Sequence, residues 1–149
     1  MVISSLKLWK FGKEKKVMSE PLMKVRAIRG ATTAEANTIE AMRDAITELL
    51  REIEERNQLD LEEVISVIFT ATCDLDAIFP AAIARENTHW ENVPLLDLQQ
   101  MHVKGSLEKC IRVLIYLNTN KPQEEMYHPY LRKAQNLRPD WNLTKILRT

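Results

Sequence analysis

The chain has 149 residues, with 21 Lys and Arg against 21 Asp and Glu and hence no formal net charge. That length makes one domain burying roughly two thirds of its unfolded surface, and 45% hydrophobic with 28% charged residues is ordinary for a globular protein. The balance leaves no footprint for nucleic acid or a membrane: basic residues are dispersed except at the N-terminus, and no stretch is long and apolar enough to span a bilayer.

Residues 1–22 read as a basic N-terminal extension, because Lys7, Lys10, Lys13, Lys15 and Lys16 crowd around Leu6, Leu8, Trp9 and Phe11. Such a segment either touches an anionic surface, or is a flexible tail or the product of a start assigned too far upstream, since Met18 and Met23 would each begin a self-sufficient domain. The domain proper is expected over 23–140, followed by a C-terminal tail at 141–149. The first residues lack the charged start and apolar run of a secretory signal, so the expected compartment is cytoplasmic.

Residues 24–28 alternate like a first strand, which Gly30 should end. Asn37 with Glu40 has the spacing of a capping box, and Ile39, Met42, Ile46, Leu49, Leu50 and Ile53 form one apolar helical stripe up to a stop at Asn57. Asp60 is placed to cap a short turn before a β-branched strand over 64–71. Residues 80–86 are expected to form a short helix. Further strands are expected over 93–98, 110–117 and 130–137, with Pro122 starting a helical turn between the last two. Cys73 and Cys110 adjoin apolar segments and are expected to be buried thiols rather than a disulfide or a metal site.

The inventory has one long helix, yet the strands around Val64 and Ile111 are apolar on both alternating faces. One helix covers one face of a five-stranded mixed sheet, so the other face is expected to meet another subunit, with a ligand site at the boundary. Arg112 lies inside one of these apolar strands. An unpaired buried guanidinium costs several kcal/mol, so a carboxylate, phosphate or ligand is expected beside it. Arg29 and Arg138 recur near strand ends, and the three together suggest a pocket for a small polyanion.

Four motifs stand in one order and spacing: Arg26-Ala27-Ile28-Arg29-Gly30-Ala31-Thr32-Thr33; Ala71-Thr72-Cys73-Asp74-Leu75-Asp76-Ala77-Ile78-Phe79-Pro80-Ala81; Cys110-Ile111-Arg112-Val113; and Tyr130-Leu131 with Leu137-Arg138-Pro139-Asp140. In these the chain resembles the monofunctional AroH-class chorismate mutases from about Lys24 to Pro139. The resemblance implies an α+β homotrimer forming a pseudo-α/β barrel, an architecture shared with RidA-type trimers, with interfacial sites and no cofactor. It also implies the isomerisation of chorismate to prephenate in aromatic amino acid biosynthesis.

By the same resemblance Arg112 donates to the ether oxygen and a carboxylate, and Arg29 binds the side-chain carboxylate near the Tyr130 hydroxyl. Phe79, Arg85, Leu95, Leu96, Leu137 and Arg138 make the pocket wall and rim. Taken singly, Arg29 pairs as readily with a surface acid, Tyr130 and Phe79 are ordinary core or interface aromatics, and Arg85 is a solvated charge. The chain departs from the family where a cysteine and, three residues on, a glutamate usually face the substrate ring: here stand Asp97 and Gln100. The expectation is that Asp97 supplies the displaced carboxylate, while Gln100 offers a neutral hydrogen bond. Ala82 also replaces a basic residue at the pocket mouth. A trimer that has lost catalysis and senses an aromatic-pathway dicarboxylate is the alternative.

Overall fold

The computed structural model describes residues 22–141. The basic extension and the C-terminal tail therefore lie outside the described residues, apart from Leu22 and Trp141.

Strand β1 (Lys24–Thr33) leads into helix α1 (Ile39–Asn57), strand β2 (Val64–Ala71), helix α2 (Pro80–Glu86), and strands β3 (Leu95–Gln99) and β4 (Cys110–Thr119). The strands make one sheet in the order β1-β4-β2-β3; β4 is antiparallel to both neighbours, and β2 and β3 run parallel across the α2 connection. The expected fifth strand over 130–137 does not form. Only Tyr130 bridges the sheet, in parallel with Ala31, and Arg132–Leu137 coil into a 3-10 turn. Arg132 opens that turn at a positive φ of 52°, which carries the chain away from the sheet edge.

Met42, Ala45, Ile46, Leu49, Leu50 and Ile53 of α1 are buried against the sheet, as the apolar stripe requires. The start of the helix differs from expectation. Thr38, not Asn37, is the N-cap, its hydroxyl accepting from the Ala41 N–H at 3.2 Å. The Asn37 amide instead holds the loop before α2: its Nδ2 donates to Asp76 Oδ1 at 2.6 Å, and its Oδ1 accepts from the Asp76 and Ala77 N–H groups. Asp60 caps the turn Leu61–Glu63, and Pro122 precedes the turn Gln123–Glu125, both as expected.

Gly30 does not end β1 but lies within it. A Cβ there would meet Leu49 Cδ1 at 3.1 Å and Pro129 O and Val113 Cγ1 at 3.2 Å, so glycine is required by close packing rather than by a turn. Cys110 is buried, but Cys73 is exposed, because it sits in the turn that leaves β2 rather than in the strand.

The outer edge of β1 is lined by the segment after β4. Gln123 pairs its side-chain amide with both the N–H and the C=O of Ala27, at 3.0 and 2.7 Å, and His128 Nδ1 accepts from the Arg29 N–H at 2.9 Å. Beyond them, Ala31 donates to Pro129 O and accepts from the Leu131 N–H. Among the described residues, no helix is long and apolar enough to cross a membrane.

Candidate active site

Cross-strand pairing sorts the side chains onto two faces, since residues side by side in a sheet point the same way. Ile28 and Gly30 of β1, Ile111, Val113, Ile115 and Leu117 of β4, Val67 and Phe69 of β2, and Leu95 of β3 lie on the helix-covered face. The opposite face carries the row Leu96, Ile68, Leu114, Arg29 and then the row Leu98, Thr70, Arg112, Ala31. Gln100 continues this second set past the end of β3, where its N–H donates to Ala71 O at 2.9 Å.

Arg112 thus stands half-buried in mid-strand, as its apolar neighbours demand, but the structure pairs it with no carboxylate among the described residues. Its Nε is buried without a hydrogen-bond partner, and so are Thr70 Oγ1, its cross-strand neighbour, and Gln100 Oε1. Buried polar atoms are rarely left unsatisfied; a fourth, Thr32 Oγ1, lies on the helix-covered face, while these three share the open one. Two residues before Arg112, burial pushes the Cys110 thiol up, although a hydrogen bond with Arg112 pulls it down.

Tyr130 is buried beside Ala31, in a small cluster with Ala134, Leu107, Leu137 and Trp141. Burial raises its hydroxyl above the ordinary range, while Arg29, Arg138 and Arg112 all pull the other way. Tyr130 thus lies in the field of all three arginines. Arg138 forks onto Asp140 at 3.0 and 2.8 Å, and its Cζ lies 3.6 Å over the Trp141 ring.

The remaining expected residues lie elsewhere. Asp97 pairs with Phe69 on the helix-covered face, and its Oδ1 accepts from Ala81 N at 2.9 Å, in the first turn of α2. It therefore does not share the face of Arg112, and its nearest task is to satisfy a helix terminus. Phe79, 69% exposed, lines with Asp97 a separate cleft of about 620 Å³ between the loop after β2 and the end of β3. Arg29, Arg112 and Tyr130 do not line it. Arg85 is exposed on α2, Leu95 packs into the core, and Leu96 is exposed on the open face. Within one chain the expected site is thus in two halves.

A family profile described as Chorismate mutase type I matches residues 25–141. This chain belongs to the type I chorismate mutase family. A relative named Chorismate mutase AroH from Bacillus subtilis (strain 168) is 45% identical over 123 residues, which is 83% of this chain and 97% of that protein. One of the same name from Thermus thermophilus is 48% identical over 117 residues, covering 78% and 95%. A solved chorismate mutase from Clostridium thermocellum superposes with a TM-score of 0.71 at 45% identity, over 74% of this chain and 97% of its own.

Sequence reasoning missed three residues that this family member places beside the arginines: Thr70, His128 and Trp141. Thr70 was legible as the outward-facing residue between Phe69 and Ala71 in an alternating strand. No pattern announced His128 or Trp141, whose rings stack 4.3 Å apart through a fold that brings the segment after β4 against the chain's end.

Proposed function

We propose that this chain converts chorismate to prephenate by an intramolecular [3,3] rearrangement, in a homotrimer whose active sites lie between subunits. The reaction breaks an ether C–O bond and makes a C–C bond within one molecule, so it asks for no nucleophile and no proton transfer. The protein has to hold a dicarboxylate in a compact conformer and stabilise negative charge gathering on the ether oxygen. Arg29, Arg138 and the Tyr130 hydroxyl bind the carboxylates, with Leu137 as wall. Arg112 addresses the ether oxygen with a fixed cation, stabilising the transition state more than the ground state. Gln100, on the face of Arg112, accepts a hydrogen bond from the ring hydroxyl.

The observation that carries this reading is the buried, unpartnered Nε of Arg112 on the open sheet face that also bears Arg29. Assembly is supported by the uncovered side of the sheet: Leu96, Leu98 and Tyr116 are 55%, 49% and 37% exposed there, beside half-buried Ile68 and Leu114. Packing of three such faces into a pseudo-barrel also lets the Phe79 cleft of one copy, with Asp97, Leu96 and Arg85, complete the arginine half of the next. Asp97 contributes its charge only by that route. The purified protein incubated with chorismate should form prephenate far faster than the spontaneous reaction. Chorismate decay no faster than in buffer would sink the proposal.

A further inference from the structure

Arg29 and Arg138 come from opposite ends of the described chain, and a strand and a six-residue turn do not by themselves fix the spacing between their guanidinium groups. Two rings connect them. His128 Nδ1 accepts from the Arg29 N–H at 2.9 Å, so its proton resides on Nε2 and its ring is anchored to β1. The Trp141 ring stacks on that imidazole with centroids 4.3 Å apart and planes 25° from parallel. Arg138, whose Nε and Nη2 also fork onto Asp140, lies over Trp141 with its Cζ 3.6 Å from the ring centroid, and Tyr130 meets the same ring edge-on at 5.5 Å. The imidazole is half-buried with Arg29 and Arg138 as its charged neighbours, and burial foremost, then those two cations, holds it neutral. A protonated ring could not accept from Arg29, so the neutral state is the one that keeps the chain of contacts whole.

We propose that His128 and Trp141 are positioning residues for the proposed reaction: the stacked pair fixes Arg138 relative to Arg29 and so sets the geometry in which the two guanidinium groups receive the substrate carboxylates. The inference rests on the chorismate mutase reading. Neither ring performs chemistry. Their effect falls on substrate capture, which both arginines serve, and not on the charge placed at the ether oxygen by Arg112.

The test uses the full-length protein and three readouts. Trp141→Ala removes the ring under Arg138 and is expected to raise KM for chorismate about fivefold while kcat stays within about twofold. Trp141→Phe keeps a flat ring under Arg138 and beside His128, and should retain a KM close to wild type. Independently of any substrate, the His128 ring protons should resonate upfield in the wild type and return toward ordinary positions in Trp141→Ala, because the stacked indole shields them. The proposal is overturned by an unshifted His128 resonance, by an unchanged KM in Trp141→Ala, or by Trp141→Phe failing as badly as Trp141→Ala with kcat and melting temperature falling alongside. Wild-type protein with shielded His128 resonances but no turnover would overturn the chorismate reading and with it the catalytic purpose of the stack.

Discussion

Replacing Arg112 by methionine should move stability and catalysis in opposite directions. The Arg112 Nε is buried without a partner, and no ion pair among the described residues includes this guanidinium. An unsatisfied buried polar group costs ~1–3 kcal/mol, and the lower end applies because the side chain is half-buried. Methionine is unbranched, of similar reach, and fits between Thr70 and Ala31 without a polar atom of its own to satisfy. The substitution is therefore expected to stabilise the fold by about 1 kcal/mol, a rise in Tm of roughly 4 °C for a domain of this size. It also deletes the cation aimed at the ether oxygen. Losing one preorganised donor costs about 3 kcal/mol of transition-state stabilisation, so kcat/KM should drop roughly 100-fold or more. Thermal unfolding and initial rates of prephenate formation on the same preparation measure both. A kcat/KM within about tenfold of wild type would remove Arg112 from the mechanism, and a fall in Tm would show that the guanidinium is satisfied in the assembled protein.

Gln100→Ala and Asp97→Asn distinguish the two sources of the ring-facing group: if Gln100 faces the substrate and Asp97 only holds α2, the first costs about tenfold in kcat/KM and the second under about threefold. The reverse order would show the Asp97 carboxylate reaching the site from a neighbouring copy. Gly30→Val should destabilise the domain by about 2 kcal/mol, because the carbonyl of Pro129 and the packed Leu49 and Val113 side chains cannot all retreat; an unchanged denaturation midpoint would contradict the close approach. Since burial and two arginines depress the His128 pKa, its neutral form contributes stability that is fully present above about pH 6.5 and is lost as pH falls through the lowered folded value. Wild-type Tm should accordingly drop more steeply than that of His128→Asn on acidification below about pH 6.5, and parallel curves would refute the linkage. Deleting residues 1–22 should leave kcat nearly unchanged, since every proposed pocket residue lies after Met23; an inactive truncation would assign the extension a place in the assembly.

Alternation and apolar spacing made four strands and both α-helices readable, because each buries one regular face: the stripe from Met42 to Ile53 has nowhere to go but onto Ile28, Val113 and their neighbours. Errors came where one residue had two physical uses. Asn37 fits an N-cap, but its amide satisfies more groups by clasping Asp76 and Ala77, leaving Thr38 for the helix. The segment after Tyr130 has strand-like residues, yet its backbone turns at Arg132, which donates to Thr33 O at 3.2 Å and pairs with Glu48 at 3.0 Å, long-range contacts that local propensity does not contain. Arg112 was identifiable from charge inside apolar sequence. The placement of Asp97 was not, because one position along a strand decides between the two sides of a sheet and the end of β3 carries no apolar pattern strict enough to fix it.

The lining of β1 bears on how copies of this chain avoid the wrong company. A bare edge strand offers a row of free N–H and C=O groups on which any extended peptide can crystallise, and that is the seed of amyloid-like growth. Here an amide side chain, an imidazole and two peptide groups occupy the places where a foreign strand would bind. A glutamine and a histidine thus act as counterfeit backbone, which ends the ladder because their side chains expose no further repeat for another chain to extend. Damage that unseats them, such as proteolysis within 122–131, would bare the outward peptide groups of Ala27, Arg29 and Ala31 to such pairing.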